Sequence, residues 1–232
     1  MKKDKDFLSQ IPEWEKEYKN SEDNVIDFEK NDWKTAKASF SDHDLFIFGC
    51  AVMEDWETPY MKDLAEIVAS RGGTVLELGF GMGISAKFIQ NYDIKKHIII
   101  EANSDVAKKA REFAKMAKHE TVVLEGFWED MIKDVHNNSI DGILFDTYPL
   151  AEKELYQNHF NFFPFAFKKL KPGGIFTYYS DEVIKFSDLH LKKLQEAGFN
   201  IKNIDSKLTK VNPPLDCEYW KASTILSPII RK

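Results

Sequence analysis

The chain has 232 residues, of which 43% are hydrophobic and 30% charged, with 11 Gly and 8 Pro. This composition predicts one compact domain, or at most two small ones, and excludes collagen-like, low-complexity and disulfide-scaffold proteins. A formal net charge of −6 argues against a surface that binds nucleic acid.

The N-terminal part of the chain is dense in charge and lacks a regular apolar period. No apolar run follows the lysines at the start, so we expect no secretory signal. Single aromatic residues are spaced through this part, among them Trp33. We interpret residues 1–50 as an arm or lid and residues 51–232 as the domain proper.

Two features bear on the compartment. The longest apolar stretch, residues 45–53, is much shorter than the roughly 20 residues needed to span a bilayer, so we expect no membrane partner. The chain has 2 cysteines, Cys50 and Cys217, and this usage favours a reducing cytoplasm over a disulfide-bridged fold.

Helix and strand patterns alternate from residue 55 onward. Apolar residues at helical spacing predict a helix over residues 55–70, which ends before Gly72 and Gly73. Aliphatic runs predict strands over residues 74–78, 97–101, 121–124, 140–145 and 174–179. Helical patterns lie between them, over residues 84–91, 104–118, 129–135 and 155–170.

The end of the chain adds one helix and two strands. The helix is predicted over residues 188–197, and strands over 201–207 and 219–225 flank Pro213-Pro214, which predicts an antiparallel hairpin at one sheet edge. Apolar strands interleaved with amphipathic helices specify an α/β fold. We therefore expect a mostly parallel, seven-stranded sheet with helices on both faces.

Two strand ends suggest a nucleoside site, because ligands of such sheets bind at the carboxyl ends of the strands. The first strand ends in the turn Gly79-Phe-Gly-Met-Gly83, where glycines allow a close approach to the backbone. Ile84 stands where a dinucleotide fingerprint has its last glycine, which disfavours a pyrophosphate. The second strand ends at Glu101, which can accept hydrogen bonds from both ribose hydroxyls. A tight turn followed by a solvent-facing glutamate is the alternative.

Aromatic residues and carboxylates follow the other strands. Phe127 and Trp128 stand after the third strand, where they can stack on an adenine or pack in the core. Asp146 ends the fourth strand, where a desolvated carboxylate needs a cation or hydrogen bonds. Glu57 lies in residues 53–61, a segment of rings, thioethers and acids that predicts either a lid with an acidic contact or a helix cap.

These motifs resemble the guanidinoacetate N-methyltransferase family of class I S-adenosylmethionine-dependent methyltransferases, which have a Rossmann-like fold. The resemblance runs in order from Phe48 to the C-terminus. It is carried by Met53-Glu-Asp-Trp-Glu-Thr-Pro-Tyr-Met61, Gly79-Phe-Gly-Met82, Phe127-Trp-Glu-Asp130, Asp146-Thr-Tyr-Pro-Leu150, Leu170-Lys-Pro-Gly-Gly174 and Asn212-Pro-Pro-Leu-Asp-Cys217. The Trp-Glu-Thr-Pro-Tyr-Met and Asp-Thr-Tyr-Pro blocks are the specific ones, because many methyltransferases share the glycine turn.

The resemblance implies S-adenosyl-L-methionine as the cofactor and a small guanidino compound as the methyl acceptor. Guanidinoacetate, which would give creatine, is the default acceptor. Free arginine or a protein arginine side chain is the alternative, and a noncatalytic cofactor-binding module is a further one. The resemblance implies no metal.

The resemblance also implies a role for each matching residue. Those of the cofactor site would be Trp33, Met61, Phe80, Gly81, Met82, Gly83, Ile84, Ser85, Glu101, Ala102, Asn103, Phe127, Trp128 and Asp146. Those of the acceptor site would be Met53, Glu57, Asp146, Tyr179 and Ser180. Trp33 would cover the cofactor, and the segment from Phe80 to Ser85 would wrap its methionine part.

A pair of carboxylates suits a guanidinium acceptor on chemical grounds. A guanidinium is planar and fully protonated at neutral pH, so its nitrogens are poor nucleophiles. Two carboxylates can hold it, aim one nitrogen along the S–CH3 axis and accept its proton. We expect Asp146 to be the proton acceptor, because it ends a core strand, and Glu57 to orient the acceptor. A structural network between lid and sheet is the alternative.

One segment departs from the family pattern. The family has a longer segment after the fifth strand that helps to bind the acceptor's carboxylate. Here Asp181 and Glu182 follow the strand, and they would repel a small carboxylate unless Ser180, Lys185 or main-chain donors compensate. Acceptor identity is therefore left open by the sequence.

The histidines predict no further site. They are His43, His97, His119, His136, His159 and His190. Their spacing matches no metal site, and their scatter predicts positions at the surface or at helix ends.

Overall fold

A seven-stranded sheet forms the centre of the computed structural model, which describes residues 27–151 and 154–232. Its strands are β4 (Gly73–Leu78), β5 (Ile94–Glu101), β6 (Glu120–Glu125), β7 (Ile140–Phe145), β8 (Leu170–Tyr178), β9 (Ile204–Lys210) and β10 (Thr224–Arg231). Three shorter strands, β1 (Ala38–Phe40), β2 (Asp44–Ile47) and β3 (Cys50–Glu54), form a second, antiparallel sheet. The predicted arm before residue 27 lies outside the described residues.

The strand order of the large sheet is β6-β5-β4-β7-β8-β10-β9. Strands β4 to β8 pair in parallel, and β10 pairs antiparallel with both β8 and β9. The order reverses at β4, which has β5 on one side and β7 on the other. A ligand crevice is expected there, outside the carboxyl ends of the strands. The predicted α/β fold with an antiparallel edge hairpin is confirmed.

Seven helices accompany these strands in the described residues. They are α1 (Lys30–Thr35), α2 (Thr58–Ala69), α3 (Ile84–Ile89), α4 (Ser104–Met116), α5 (Trp128–Met131), α6 (Asn158–Lys169) and α7 (Asp188–Glu196). Short 3-10 helices cover Asp55–Glu57, Ile132–Asp134 and Ile201–Asn203. Among the described residues, no helix combines the length and the apolar character needed to cross a membrane.

Alternate residues of the central strands supply two separate hydrophobic cores, because successive side chains of a strand point to opposite faces. Val75 and Leu144 belong to the core shared with α2, α3 and α4. Leu76 and Ile143 belong to the core shared with α6 and α7. All four side chains are fully buried. The sheet is therefore covered by helices on both faces.

The small sheet was not predicted from the sequence. Residues 45–53 read as one apolar stretch, but the structure folds them into β2, a two-residue turn and β3. The turn consists of Phe48 and Gly49, both with positive φ, and Ile47 pairs with Cys50 across it. Phe48 hid the turn, because an apolar side chain at this position continues the run.

The hairpin at the C-terminal edge differs from the prediction in its boundaries. The segment predicted as a strand from residue 201 begins with the 3-10 helix Ile201–Asn203, and β9 follows it. The last strand begins at Thr224, because residues 211–223 form a long connection rather than a tight turn at Pro213-Pro214. This connection reaches the crevice.

The prediction of surface or helix-end positions was wrong for His97, which is buried within β5, whereas His159 and His190 are buried in the first turns of α6 and α7. His97 is fully buried, and its Nε2 lies 2.9 Å from Oε2 of Glu77 on the neighbouring strand. His159 belongs to α6 and His190 to α7. Each is 1% exposed, and their rings stack between the two helices, with centroids 5.0 Å apart. Local sequence does not show such partners, because they come from other elements.

Candidate active site

A cleft of about 770 Å³ opens at the carboxyl ends of β4, β5 and β7. Its walls come from the glycine turn, the β2–β3 hairpin, α1 and the connection between β9 and β10. Ten of the predicted site residues line it, namely Trp33, Met53, Glu57, Gly81, Glu101, Ala102, Phe127, Trp128, Asp146 and Tyr179. The structure thus brings most of the predicted residues together at the point where the strand order reverses.

The other predicted residues do not line the cleft. They are Met61, Phe80, Met82, Gly83, Ile84, Ser85, Asn103 and Ser180. Met61 is fully buried in the core, and the Phe80 ring packs against Phe113, with centroids 5.6 Å apart. The Ser85 hydroxyl donates to Glu77, and the Ser180 hydroxyl donates to the Leu226 carbonyl oxygen at 2.6 Å.

The glycine turn packs directly against the end of β7. Gly79 has a φ of +87°, and a Cβ atom there would lie 1.8 Å from the carbonyl oxygen of Asp146. The Asp146 amide in turn donates to the Leu78 carbonyl oxygen at 2.9 Å. Glycine at position 79 therefore allows the backbones of the two strand ends to touch, and this contact places Asp146 at the cleft.

Met53 sits over the same turn. Its sulfur accepts a hydrogen bond from the Met82 amide at 3.2 Å. A Cβ atom at Gly81 would lie 2.8 Å from that sulfur. Gly83 has a φ of +70° and precedes Ile84, the first residue of α3. Residues 81–84 thus carry the chain from the cleft wall into a helix.

Glu101 is positioned by main-chain donors. Its two carboxylate oxygens accept hydrogen bonds from the Phe80 amide at 2.9 Å and the Asn103 amide at 2.8 Å. Burial raises the pKa of this carboxyl, and the amide donors oppose that rise. The Gly81 and Ala102 amides also favour the charged form, so four main-chain donors face a carboxylate with about four acceptor sites. Glu101 lines the cleft at the end of β5.

Helix α1 closes one side of the cleft and is tied to the sheet by Asn103. The Asn103 side-chain amide donates to the Trp33 carbonyl oxygen at 2.9 Å, and its Oδ1 caps α4. The Trp33 indole is 4% exposed and stacks on Tyr148, with ring centroids 4.9 Å apart. Phe28 donates its amide to the Leu150 carbonyl oxygen at 2.8 Å. The N-terminal wall of the cleft is thus hydrogen-bonded to the segments that follow β5 and β7.

Phe127 and Trp128 form the wall beyond Glu101. Phe127 precedes α5, and its ring lies 4.9 Å from the Lys30 ammonium. Trp128 packs edge-on against Phe162, with centroids 5.3 Å apart, so the core fixes its orientation while it lines the cleft. Trp128 thus packs in the core and also lines the cleft, while stacking on an adenine stays a prediction.

Glu57 is a buried carboxyl at the end of the 3-10 helix before α2, and only 3% of it is exposed. The Tyr219 hydroxyl donates to its Oε1, as does the Glu54 amide at 3.3 Å. Burial, and secondly the charge of Asp146, raise the pKa of Glu57 to about 8. The carboxyl therefore holds a proton at neutral pH unless a cation approaches.

Asp146 is a second carboxyl with a raised pKa, and it is half-buried at the cleft. Burial, and secondly the charge of Glu77, raise its pKa to about 7. In the part of the chain that the structure describes, the ion pairs of lysine and arginine go to other acids than Glu57 and Asp146. Two carboxyls with raised pKa values thus line one cleft, and neither is paired with a described lysine or arginine. This arrangement suits a cationic ligand with several N–H donors.

Some lining residues were missed by the sequence reasoning. Tyr219 lines the cleft, bonds Glu57 and packs against the Trp56 ring, with centroids 5.7 Å apart. Asp216, Cys217 and Glu218 line the cleft beside it. The motif before Tyr219 gave a signal for this segment, but nothing local indicates that it folds back over Glu57.

The two acids after β8 have different surroundings. Asp181 lines the cleft and has a φ of +56°. Glu182 is outside the lining, and its Oε1 accepts a hydrogen bond from the Ser187 amide at 2.8 Å. Of the two acids expected to repel an acceptor carboxylate, Asp181 is the one at the cleft.

No metal centre accompanies these groups in the residues that the structure describes. Within them, no three side chains of His, Cys, Asp or Glu are placed to hold a metal ion.

Comparisons with known proteins agree on the family and the fold. The sequence model of the family described as guanidinoacetate N-methyltransferase matches residues 26–232. A protein arginine N-methyltransferase 2 from Candida glabrata is 38% identical over 136 residues, which cover 56% of this chain and 32% of that protein. A protein of the same name from Yarrowia lipolytica is 30% identical over 184 residues, covering 73% of this chain and 38% of that protein.

The chain therefore spans only about a third of the length of the curated relatives it matches. Among solved structures, spermidine synthase from Thermotoga maritima superposes with a TM-score of 0.58 at 16% identity, covering 84% of this chain and 72% of that chain. This likeness shows the fold.

Proposed function

The chain belongs to the guanidinoacetate N-methyltransferase family, and we propose that it methylates a nitrogen of a guanidinium group held between Glu57 and Asp146. It is a methyltransferase that depends on S-adenosylmethionine, the methyl donor of this family. The observation that carries the proposal is a pair of carboxyls that line one cleft, Glu57 buried and Asp146 half-buried, each with a raised pKa and neither paired with a described lysine or arginine.

The cleft fits the donor at one end. Glu101 presents its carboxylate to the cleft at the end of β5, where we expect it to bond the ribose hydroxyls, and Phe127 offers a ring face to the adenine. Gly79 and Gly81 let the turn pack closely against Asp146 and Met53, and the turn borders the cleft where we expect the methionine part. When bound, the cofactor supplies an electrophilic methyl group on its sulfonium.

The acceptor end orients the nucleophile and removes its proton. Glu57, held by Tyr219 and the Glu54 amide, accepts N–H bonds from one edge of the guanidinium. Asp146 accepts a bond from the nitrogen that receives the methyl group and takes the proton which that nitrogen loses. A base with a pKa of about 7 is suited to this transfer near neutral pH.

An arginine side chain in a protein is the acceptor that we favour. The relatives that match are named protein arginine N-methyltransferase 2. The cleft also carries acids at its acceptor end, among them Asp181, Asp216 and Glu218. Lys30 is the one lysine or arginine in the described lining, and its ammonium contacts Glu129 at 2.8 Å. A carboxylate on the acceptor would meet like charge there.

Guanidinoacetate, which would give creatine, is the second candidate, because the matching family bears its name. Labelled S-adenosylmethionine with guanidinoacetate, arginine, guanidinobutyrate and an arginine-containing peptide separates the two. We expect transfer to the peptide at the highest kcat/KM. Transfer to none of the four would contradict the proposed function, and a preference for guanidinoacetate would reverse the order of the candidates.

Acceptor turnover should rise with pH. Each carboxyl is protonated below its raised pKa, and a neutral carboxyl holds a guanidinium poorly, whereas the guanidinium stays charged throughout. We expect kcat/KM for the acceptor to increase by roughly tenfold or more between pH 6 and pH 9, as the coupled pair ionises. Calorimetric donor binding at both pH values is the control. A flat profile would contradict the role of the pair.

The compartment stays a prediction. Both cysteines are free, Cys50 partly exposed and Cys217 buried. Free thiols are usual in the reducing cytoplasm, where we expect the protein to act.

A further inference from the structure

Two exposed apolar side chains stand in segments that border the acceptor end of the cleft. Leu215 is 100% exposed and Ile184 is 66% exposed. Single exposed apolar residues are ordinary on protein surfaces. These two differ because each belongs to a segment that lines the cleft: Asp216 follows Leu215, and Asp181 stands three residues before Ile184.

Leu215 is presented outward by anchored neighbours. Val211 and Cys217 are 7% and 3% exposed on either side of it, and Trp220 is 1% exposed. The Cys217 amide donates to the Pro214 carbonyl oxygen at 3.1 Å, which closes a turn around the leucine. The buried anchors hold the turn, and the leucine at its tip faces solvent.

Ile184 lies in a segment bonded to the start of β10, where the connection that carries Leu215 ends. The Leu226 amide donates to the Glu182 carbonyl oxygen at 2.8 Å, and the Thr224 hydroxyl donates to the Val183 carbonyl oxygen at 3.0 Å. Residues 182–184 and 211–216 thus both adjoin one end of β10. We name them the outer rim.

Acids outnumber lysines at and beside the outer rim, with Asp181, Glu182, Asp216, Glu218 and Glu54 against Lys185, Lys210 and Lys221, so its charge favours a basic partner. Asp216, Glu218 and Glu54 line the adjacent part of the cleft. Lys221, in the same connection, directs its ammonium to the Leu215 carbonyl oxygen at 3.0 Å. Apolar side chains beside a row of acids complement a chain segment that carries both apolar and basic residues.

We propose that the outer rim docks a basic polypeptide segment whose arginine enters the cleft, with Leu215 and Ile184 packing against apolar residues that flank that arginine. The inference rests on the proposed function and names the surface that the acceptor polypeptide uses. A small guanidino compound held by Glu57 and Asp146 has no flanking residues that could pack against Leu215 and Ile184.

The test compares two acceptors that share the guanidinium. One is N-acetylarginine methylamide, and the other is a capped peptide with a single arginine flanked by lysines and leucines. Leu215→Ser and Ile184→Ser should each raise KM for the peptide about three- to tenfold with kcat unchanged, because each removes one apolar contact. KM for the small acceptor should stay as in the wild type.

Met116→Ser is the matched control, because Met116 is 82% exposed at the end of α4, away from the cleft lining. It should change neither KM. Replacing the peptide's lysines with glutamates should raise its KM with the wild-type protein. An unchanged peptide KM in both rim variants, or an equal change for both acceptors, would overturn the inference.

Two further outcomes are decisive. If the wild type methylates neither acceptor, the proposed function fails. Docking is then tested separately by fluorescence anisotropy of the labelled peptide, and equal affinity for the wild type and Leu215→Ser would refute the docking proposal. If sedimentation shows a wild-type dimer that Leu215→Ser converts to a monomer, the outer rim is an interface between copies of the chain. That result would also refute the docking proposal.

Discussion

Asp146→Asn is expected to lower kcat by roughly 10²–10⁴-fold, the usual contribution of a general base. Asparagine keeps the shape of the side chain but neither accepts the proton nor carries the charge that holds the guanidinium. The Asp146 amide remains available for its bond to the Leu78 carbonyl oxygen, so the strand end should stay in place. Turnover is measured with saturating donor and acceptor.

Donor binding by calorimetry separates this loss from a damaged fold, and it should stay within about threefold of the wild type. Asp134→Asn, which removes the same charge from an exposed position after α5, should behave as the wild type. Wild-type turnover in Asp146→Asn would show that another group accepts the proton.

Gly79→Ala is expected to destabilise the protein by roughly 3–5 kcal/mol, within the range of substitutions that force a backbone clash or strain. The new Cβ would lie 1.8 Å from the Asp146 carbonyl oxygen, so β4 and β7 must separate at the site where the donor and acceptor meet. Urea unfolding measures the loss, and donor affinity should fall with it.

Gly173→Ala is the matched control, because Gly173 has a φ of +79° and nothing lies within 4 Å of its Cβ position. It carries only the left-handed backbone cost of about 1–2 kcal/mol. If the two variants lost equal stability, the contact between the glycine turn and Asp146 would not be the cause.

The fold was predictable because its signals are local. Aliphatic runs of strand length and helical periodicity fixed the large sheet, and only boundaries shifted, as at β9 and β10. The small sheet was not predicted because its strands have only three to five residues, and because Phe48 is an apolar residue in the turn between two of them. Such strands gain their stability from tertiary pairing rather than from their own pattern.

The candidate site likewise has residues that the sequence predicts and residues that it does not. Asp146 and Glu101 were found because each ends a strand, and strand ends converge in a parallel sheet. Tyr219 was not found, because its contact with Glu57 joins residues 162 positions apart. The burial of His97 was missed for the same reason, because its partner Glu77 lies on the neighbouring strand, β4.

The reversal of strand order at β4 has a consequence for redesign. Groups suited to the methyl donor come from the β4–β5–β6 side, including Glu101 and Phe127, whereas Asp146, Asp181 and Tyr219 come from the β7–β8–β10 side. On the proposed function, the two chemical tasks occupy separable halves of one sheet. We therefore expect a loop graft confined to residues 211–223 to change which acceptor is methylated, because it leaves every residue of the donor half in its native sequence.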